Sequence, residues 1–278
     1  MYGQLLRGVV DASAQSAVKD GDYIQNGLLH CGKCHTPKQG EYKTPWGVIR
    51  PFFPCKCEKE RRAREQQEAD AIHFEQRVAA MRKEAFPDEE MLNWRFEVDD
   101  QANAKTSAVA RQYMENFPAM RKGGKGLLLF GDVGTGKTFH AACIVNALVD
   151  KGYPCHVTDF ARLEKILGSK FDGRQEYIDS LNKYSLLVLD DLGAERDTAY
   201  MTEIVHSVID ARYRAGLPLI VTTNLTAAEL KNQQQEMARK RIYSRLMEMC
   251  IPVEVKGSDR RREKLKDDFK AYKDMLGL

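Results

Sequence analysis

Short apolar runs alternate with stretches of helical periodicity from about Asn93 to the C-terminus. A run such as Leu186–Leu189 is apolar at every position, which is typical of strands buried on both faces of a parallel sheet. The strands predicted from such runs are Leu127–Phe130, His156–Val157, Leu186–Leu189, Leu219–Thr222 and Ile251–Val255. The helices predicted around them are Lys137–Asp150, Phe160–Leu167, Arg174–Asn182, Thr202–Ala215 and Thr226–Lys231, with more helix from Met237 on both sides of the last strand. This alternation predicts an α/β fold with a parallel sheet.

A different pattern precedes this region. Residues 58–86 lack Gly and Pro, and their few apolar positions recur near the helical period, which predicts a long and largely exposed helix that Pro87 terminates. The first 57 residues contain many turn formers and a group of cysteines. We therefore predict a small N-terminal module (1–57), a helical linker (58–92) and an α/β domain (93–278).

Composition narrows the class of protein. The chain has 278 residues, of which 43% are hydrophobic and 30% charged, and its longest apolar runs fall far short of the ~20 residues of a membrane span. We therefore expect no integral membrane protein. The N-terminus lacks a basic segment followed by an apolar one, so we expect a cytoplasmic location. A net charge of +3 argues against a chain that binds polyanions through its whole surface.

Four of the seven cysteines crowd into the N-terminal module, and in a cytoplasmic chain such a cluster indicates a metal. Cys31 and Cys34 form one close pair and Cys55 and Cys57 another, which predicts a structural zinc site with four thiolates. Exchange of a ligand with His35 is an alternative, as is a set of unrelated reduced thiols. We predict that the other three cysteines fill the core of the α/β domain: Cys143, Cys155 and Cys250.

A glycine-rich motif lies between the first predicted strand and its helix. It fits G-x-x-x-x-G-K-[ST] and consists of Gly131, Asp132, Val133, Gly134, Thr135, Gly136, Lys137 and Thr138. The glycines let the backbone approach phosphate oxygens closely, and the amides of the helix N-terminus point at a polyanion. Lys137 would reach the β- and γ-phosphates, and the Thr138 hydroxyl would hold Mg²⁺. This motif predicts a nucleotide site.

Two later strands add polar groups at the same edge of the sheet. Asp190 follows the run Leu186–Leu189 and would bind Mg²⁺, while Asp191 could polarise the attacking water. Glu195 is an alternative for that task, and Asp191 could instead cap the next turn. Asn224 follows another strand and could position water against the γ-phosphate; alternatively, Thr222, Thr223 or Asn224 could cap the helix that follows.

Adenine is the expected base, because no Asn-Lys-x-Asp segment follows the last core strand. Candidate cations for the transition state are Arg241, Arg245 and the arginines at positions 260–262. A local group of basic residues at the start of the linker helix is interpreted as a solvated face or as a contact for DNA or a protein partner: Lys56, Lys59, Arg61, Arg62 and Arg64.

Several segments together resemble the DnaC/DnaI helicase loaders and their IstB transposition relatives, over roughly residues 93–272. They are Leu127–Thr138, Leu189–Glu195, Asp210–Arg214, Thr222–Leu225, Arg241–Leu246 and Gly257–Arg260, in the order and spacing of that family. The resemblance implies an AAA+ ATPase in which Asn224 is the sensor 1 residue, Arg245 the arginine finger and Arg260 the sensor 2 residue. Two positions depart from the usual pattern: Asp259 replaces an aromatic residue, and Asp191 stands where many AAA+ enzymes have Glu.

The resemblance also implies partners. It implies ATP-dependent assembly into a ring or spiral, contact with single-stranded DNA, and loading of a replicative helicase hexamer of the DnaB type during replication initiation. N-terminal modules of some loaders carry zinc and contact the helicase. We therefore predict an ATP-dependent helicase loader that uses ATP, Mg²⁺ and Zn²⁺. The alternatives are an IstB-like transposition helper ATPase and, from another class, a small-molecule kinase.

Overall fold

The computed structural model describes residues 18–168, 173–193, 198–230 and 237–260, together with positions 262, 265, 269, 272, 273, 275 and 276. The chain divides into two compact units, residues 1–75 and 76–278. The division falls inside the long helix, whereas the functional boundaries after residues 57 and 92 stay predictions. Within the described residues, no helix combines the length and the apolar composition needed to cross a membrane.

The first unit contains two short antiparallel hairpins. Strands β1 (Tyr23–Gln25) and β2 (Leu28–His30) form one, and β3 (Tyr42–Thr44) and β4 (Gly47–Ile49) form the other. The sequence Asn26-Gly27 joins β1 to β2 with both residues at positive φ, as the tight hairpin turn requires. Three-residue strands bury little apolar surface, so this unit depends on other contacts for its stability.

Helix α1 (Lys56–Ala85) starts in the first unit and continues into the second. Its bounds confirm the predicted long helix, and it ends two residues before Pro87 because the proline ring restricts the residue before it. Most of its side chains are exposed, while Val78 and Ala85 are buried in the second unit.

The second unit is built on a five-stranded parallel sheet in the order β6-β7-β8-β5-β9. The strands are β5 (Gly126–Phe130), β6 (Cys155–Asp159), β7 (Leu186–Leu192), β8 (Leu219–Thr223) and β9 (Cys250–Glu254). The helices are α2 (Ala104–Glu115), α3 (Phe117–Lys122), α4 (Lys137–Asp150), α5 (Phe160–Gly168), α6 (Arg174–Ser180), α7 (Ala199–Ala215), α8 (Ala227–Leu230) and α9 (Met237–Met249). This arrangement confirms the predicted α/β fold with a parallel sheet.

Alternate residues of the strands enter two separate cores. Leu187 and Leu189 pack with α5, α7 and α9, whereas Leu186 and Val188 pack with α2 and α4. Helices therefore cover both faces of the sheet, which explains why the strands are continuous apolar runs rather than alternating ones. The predicted core cysteines are confirmed, since all three are buried: Cys143, Cys155 and Cys250.

The structure departs from several of the predicted elements. Helix α7 begins at Ala199 rather than at Thr202, because the Thr198 hydroxyl accepts a hydrogen bond from the Met201 amide and caps the helix. Strand β7 continues through both carboxylates to Leu192, and its pairing with β8 shifts register after Leu189. Helices α2 and α3 lie in a segment for which no elements were predicted.

Candidate functional site

The glycine-rich loop connects β5 to α4 at the carboxyl edge of the sheet. Gly131 has a φ of 143°, and a Cβ there would collide with the carbonyl oxygen of Val255. Gly134 has a φ of 78°, and a Cβ there would collide with the carboxylate of Asp259. Both positions therefore favour glycine, and the loop leads into the N-terminus of a 14-residue helix whose N-cap, Gly136, supplies no side-chain cap.

Lys137 lies folded over this loop. Its Nζ donates to the carbonyl oxygens of Gly131 at 2.9 Å and Asp132 at 2.7 Å, and its side chain is buried. Thr135 adds a hydrogen bond from its hydroxyl to the same Asp132 carbonyl, at 2.8 Å. The ammonium group is thus positioned inside the loop, where it can attract phosphate oxygens.

The two predicted parts of the site meet through a hydroxyl. Thr138 Oγ1 donates to Asp190 Oδ1 at 2.9 Å, which joins the start of α4 to the end of β7. Burial raises the pKa of Asp190, because desolvation disfavours its charged form. A divalent cation beside this carboxylate would favour the charged form again, so Thr138 and Asp190 together suit a magnesium ion.

Thr222 on β8 is a site residue for which the sequence indicated only a role as a helix cap. Its hydroxyl donates to Asp190 Oδ1 at 2.5 Å and accepts from the Asp191 amide at 2.9 Å. Asp191 has a φ of 56°, in the left-handed region, at the irregularity between β7 and β8. Thr222 thus fixes both carboxylate residues, while Thr226 and Glu229 form the capping box of α8.

A cleft of about 330 Å³ opens over the loop. The predicted residues that line it are Val133, Gly134, Gly136, Lys137, Thr138, Asp191, Asn224 and Arg260. Two further lining residues, Trp94 and Phe139, were not predicted, because neither belongs to a phosphate-binding motif. The fold therefore brings together groups from five separate segments of the chain.

The candidate arginines occupy different places. Arg260 donates its amide to the Gly134 carbonyl at 3.1 Å, and its guanidinium pairs with Asp100. Arg245 lies outside the set of described residues that line the cleft, and it pairs with Asp210 on α7 at 2.7 Å. Its other terminal nitrogen lies 2.7 Å from His206 Nε2. Glu195 and Arg261 lie outside the described residues.

The four N-terminal thiols form a cluster in the first unit. The sulfurs of Cys31, Cys34, Cys55 and Cys57 all lie within 4.8 Å of one another. The Sγ distances are 3.6 Å from Cys31 to Cys57 and 3.3 Å from Cys55 to Cys57, close to the roughly 3.8 Å edge of a tetrahedral zinc–thiolate site. His35 lies outside this cluster, and its Nδ1 is 3.2 Å from the Tyr23 hydroxyl.

The electrostatic surroundings of the thiols differ. A hydrogen bond with the Thr36 hydroxyl is the main cause that lowers the pKa of Cys34 to about 5. The neighbouring Cys55 sulfur is the main cause that raises the pKa of Cys57 to about 12. Four sulfurs at these distances cannot all carry negative charge without a cation between them, so the donor set fits a soft divalent metal.

The basic group at the start of α1 is partly neutralised. Glu58 accepts hydrogen bonds from Arg61 at 2.7 Å and from Arg62 at 3.0 Å, and it also pairs with Lys19. These bonds, with that of Arg61 the largest, lower the pKa of Glu58 to about 2. The group thus combines charges of both signs, which favours the interpretation of a solvated helix face over a polyanion-binding surface.

Comparisons with known proteins agree with this geometry. The family described as IstB-like ATP binding protein matches residues 58–267. The replicative helicase loader DnaI of Bacillus subtilis (strain 168) is 29% identical over 149 residues, which are 50% of this chain and 48% of that protein. The replicative helicase loader DnaC of Escherichia coli (strain K12) is 29% identical over 143 residues, which are 50% of this chain and 56% of that protein. The matches thus span about half the length of these relatives.

One solved structure adds to the comparison of folds. The crystal structure of DnaI superposes with a TM-score of 0.53 at 26% identity, over 64% of this chain and 96% of that one. The matched family region contains the loop, both carboxylates and the cleft, and it starts just after the thiol cluster.

Proposed function

The chain belongs to the IstB-like ATP binding protein family, and from that membership we propose that it is an ATP-dependent loader of a replicative helicase. The helicase would be a hexamer of the DnaB type, and the loader would place it on single-stranded DNA during replication initiation. The observation that supports ATP dependence is the hydrogen bond between Thr138 and Asp190, which joins the phosphate loop to strand β7. The loader role is supported by the similarity to DnaI and DnaC, which are replicative helicase loaders.

We assign the nucleotide-binding roles as follows. The amides of the loop from Gly131 to Thr138 and the ammonium of Lys137 bind the phosphates of ATP, and Thr138 and Asp190 hold the magnesium ion. When bound, the ion neutralises charge that develops on the transferred phosphoryl group. Lys137 and Thr138 line the same cleft, and a hydrogen bond joins Thr138 to Asp190, so the groups that take these roles already lie close together.

Hydrolysis requires a positioned water molecule and additional positive charge. We propose that Asp191 orients the water, with Glu195 as the alternative, and that Asn224 acts beside it as the sensor 1 residue. Arg260 would act as the sensor 2 residue on the same subunit's nucleotide, because its side chain lines that subunit's cleft. Asp259, the unusual residue before it, packs against the loop glycine Gly134 and so anchors this segment.

Assembly would place Arg245 in a neighbouring subunit's site. Since Arg245 pairs with Asp210 and lies outside the described lining of its own cleft, a role as an arginine finger requires it to exchange this carboxylate for a phosphate on another subunit. We propose that ATP favours such a homo-oligomer and its contact with single-stranded DNA, and that hydrolysis shifts the population back and releases the helicase.

The thiol cluster would hold a structural zinc ion. Cys31, Cys34, Cys55 and Cys57 supply a complete tetrahedral donor set, and each described strand of the small unit around them has just three residues. Zinc binding would therefore supply much of the folding free energy of this unit. We propose that residues 1–57 form a zinc-bearing adaptor that contacts the helicase.

Light scattering after size-exclusion chromatography tests the partner directly. The full chain is mixed with a host DnaB-type hexamer, with and without ATP, and we expect a stable complex. The variant Cys34→Ser should weaken that complex, while Cys143→Ser, which alters a buried cysteine outside the cluster, should leave it intact. Intact ATP binding without any complex would instead favour the transposition helper.

A further inference from the structure

The cleft over the phosphate loop has an aromatic end that the proposed phosphate chemistry does not use. Trp94 and Phe139 line this end, with ring centroids 6.3 Å apart and ring planes inclined by 47°. Phe139 lies in the first turn of α4, immediately after Thr138, while Trp94 reaches the cleft from a segment more than thirty residues before the loop. Both side chains are only half-buried, so each leaves part of its ring accessible from the cleft.

This aromatic end is anchored to the helix that starts at the phosphate loop. The buried side chain of Asn146 on α4 donates to the carbonyl oxygens of Met91 at 2.9 Å and Trp94 at 2.8 Å. The next residue, Arg95, pairs with Asp150 at the end of the same helix, at 2.7 Å. Helix α4 therefore holds the backbone of Trp94 at a defined position relative to the loop.

A cation completes the aromatic end. The guanidinium of Arg260 lies over the Phe139 ring, 5.8 Å from its centroid, and is held there by Asp100. The cleft thus has a polar end with Lys137, Thr138 and Asp191, and an end formed by two aromatic rings and a planar cation. A ligand that fits both ends carries a polyphosphate and a flat aromatic group, which is the chemistry of a nucleotide.

We propose that Trp94 and Phe139 form the base subsite, in which the purine ring of the bound nucleotide stacks on the indole of Trp94. This inference rests on the proposed function only in that it requires the phosphates to bind at the loop. Stacking uses the face of the base rather than its edge, so the subsite contributes affinity for a base as such. The fluorescence of Trp94 should therefore change when a nucleotide occupies the site.

The chain offers a sharp spectroscopic test, because it contains only two tryptophans. Trp46 is 93% exposed in the first unit, so Trp46→Phe leaves Trp94 as the single emitter without disturbing packing. We expect saturating MgATP to quench the fluorescence of full-length W46F, and saturating magnesium tripolyphosphate, which lacks a base, to leave it nearly unchanged. Equal responses to the two ligands, or no response to ATP that calorimetry shows to be bound, would overturn the base subsite.

Affinities measured by calorimetry give an independent test. Trp94→Ala should weaken ATP binding about tenfold, equivalent to ~1.4 kcal/mol, and should leave tripolyphosphate binding unchanged. Trp94→Phe should recover most of the lost affinity, because it restores an aromatic face. A similar loss for both ligands, or no loss for ATP, would contradict the proposal. Failure of MgATP to bind the unmodified chain would instead overturn the nucleotide site itself.

Discussion

The substitution Thr222→Val tests how the two carboxylates are held. Valine has nearly the same shape as threonine but lacks the hydroxyl that donates to Asp190 at 2.5 Å and accepts from the Asp191 amide at 2.9 Å. Thr222 is fully buried, so water cannot readily replace the lost partner at either group. Without this hydroxyl, Asp191 also loses the bond that holds its backbone at a φ of 56°.

The magnitude follows from the two hydrogen bonds. A bond to a charged acceptor contributes about 1.5–3 kcal/mol and an ordinary one about 0.5–1.5 kcal/mol, so T222V should lower the free energy of unfolding by about 2–4 kcal/mol. The matched control T222S keeps the hydroxyl and loses one buried methyl group, which costs about 1 kcal/mol. The hydroxyl bridge therefore predicts that valine is clearly worse than serine, although it is closer in volume to threonine.

Urea unfolding followed by circular dichroism measures the stability, and phosphate release measures ATP hydrolysis. We expect hydrolysis to fall at least about tenfold in T222V, because Asp190 and Asp191 lose their common support, and to stay near the unmodified level in T222S. Equal stability and equal hydrolysis in the two variants would refute the argument that Thr222 positions these carboxylates.

Three further predictions concern the metal, the water and pH. The purified chain should carry about one zinc ion by atomic absorption, and Cys34→Ser should lose it while Cys143→Ser retains it; a folded chain without metal would contradict this. Asparagine tolerates the left-handed backbone at position 191, so Asp191→Asn should reduce ATP hydrolysis about 100-fold or more without weakening ATP binding. Undiminished hydrolysis would indicate that Glu195, rather than Asp191, orients the water. Burial lowers the pKa of the His140 imidazole, so below about pH 6.5 the unfolded chain binds more protons than the folded chain. The free energy of unfolding should therefore fall as the pH is lowered through this range, by at most ~1.4 kcal/mol per pH unit for this group. In urea titrations at pH 5.5–7.5, His140→Asn should reduce this pH dependence of the unfolding free energy. An unchanged pH dependence would show that other groups cause it.

The sequence predicted best where local chemistry decides the structure. The bounds of α4, Lys137–Asp150, agree with the prediction, because the helix begins directly after the glycine-rich loop and its apolar pattern is continuous. Strand β7 was predicted too short, because charged residues normally end a buried strand, yet Asp190 still pairs with Asp159 of β6 and the pairing with β8 resumes at Leu192. The hairpins of the first unit escaped prediction, since strands of three residues leave no periodicity to detect.

Long-range contacts account for the rest of the site. Thr222 looks like a β-branched strand residue in the sequence, and only the neighbouring position of β8 and β7 places its hydroxyl between two acids. Trp94 carries no motif, and it reaches the cleft because Asn146, more than fifty residues later, binds its backbone. Motifs therefore predicted the phosphate end of the cleft, whereas the aromatic end depends on tertiary packing.

Helicase loading on circular single-stranded DNA tests the central claim most directly. A host DnaB-type hexamer is incubated with the full chain and ATP, and helicase that stays on the DNA after a high-salt wash is counted. We expect retention to require both the chain and ATP and to be lost in Lys137→Ala, which lacks the ammonium group that lies in the phosphate loop. A chain that binds and hydrolyses ATP normally, yet leaves no more helicase on the DNA than the Lys137→Ala variant, would contradict the loader function.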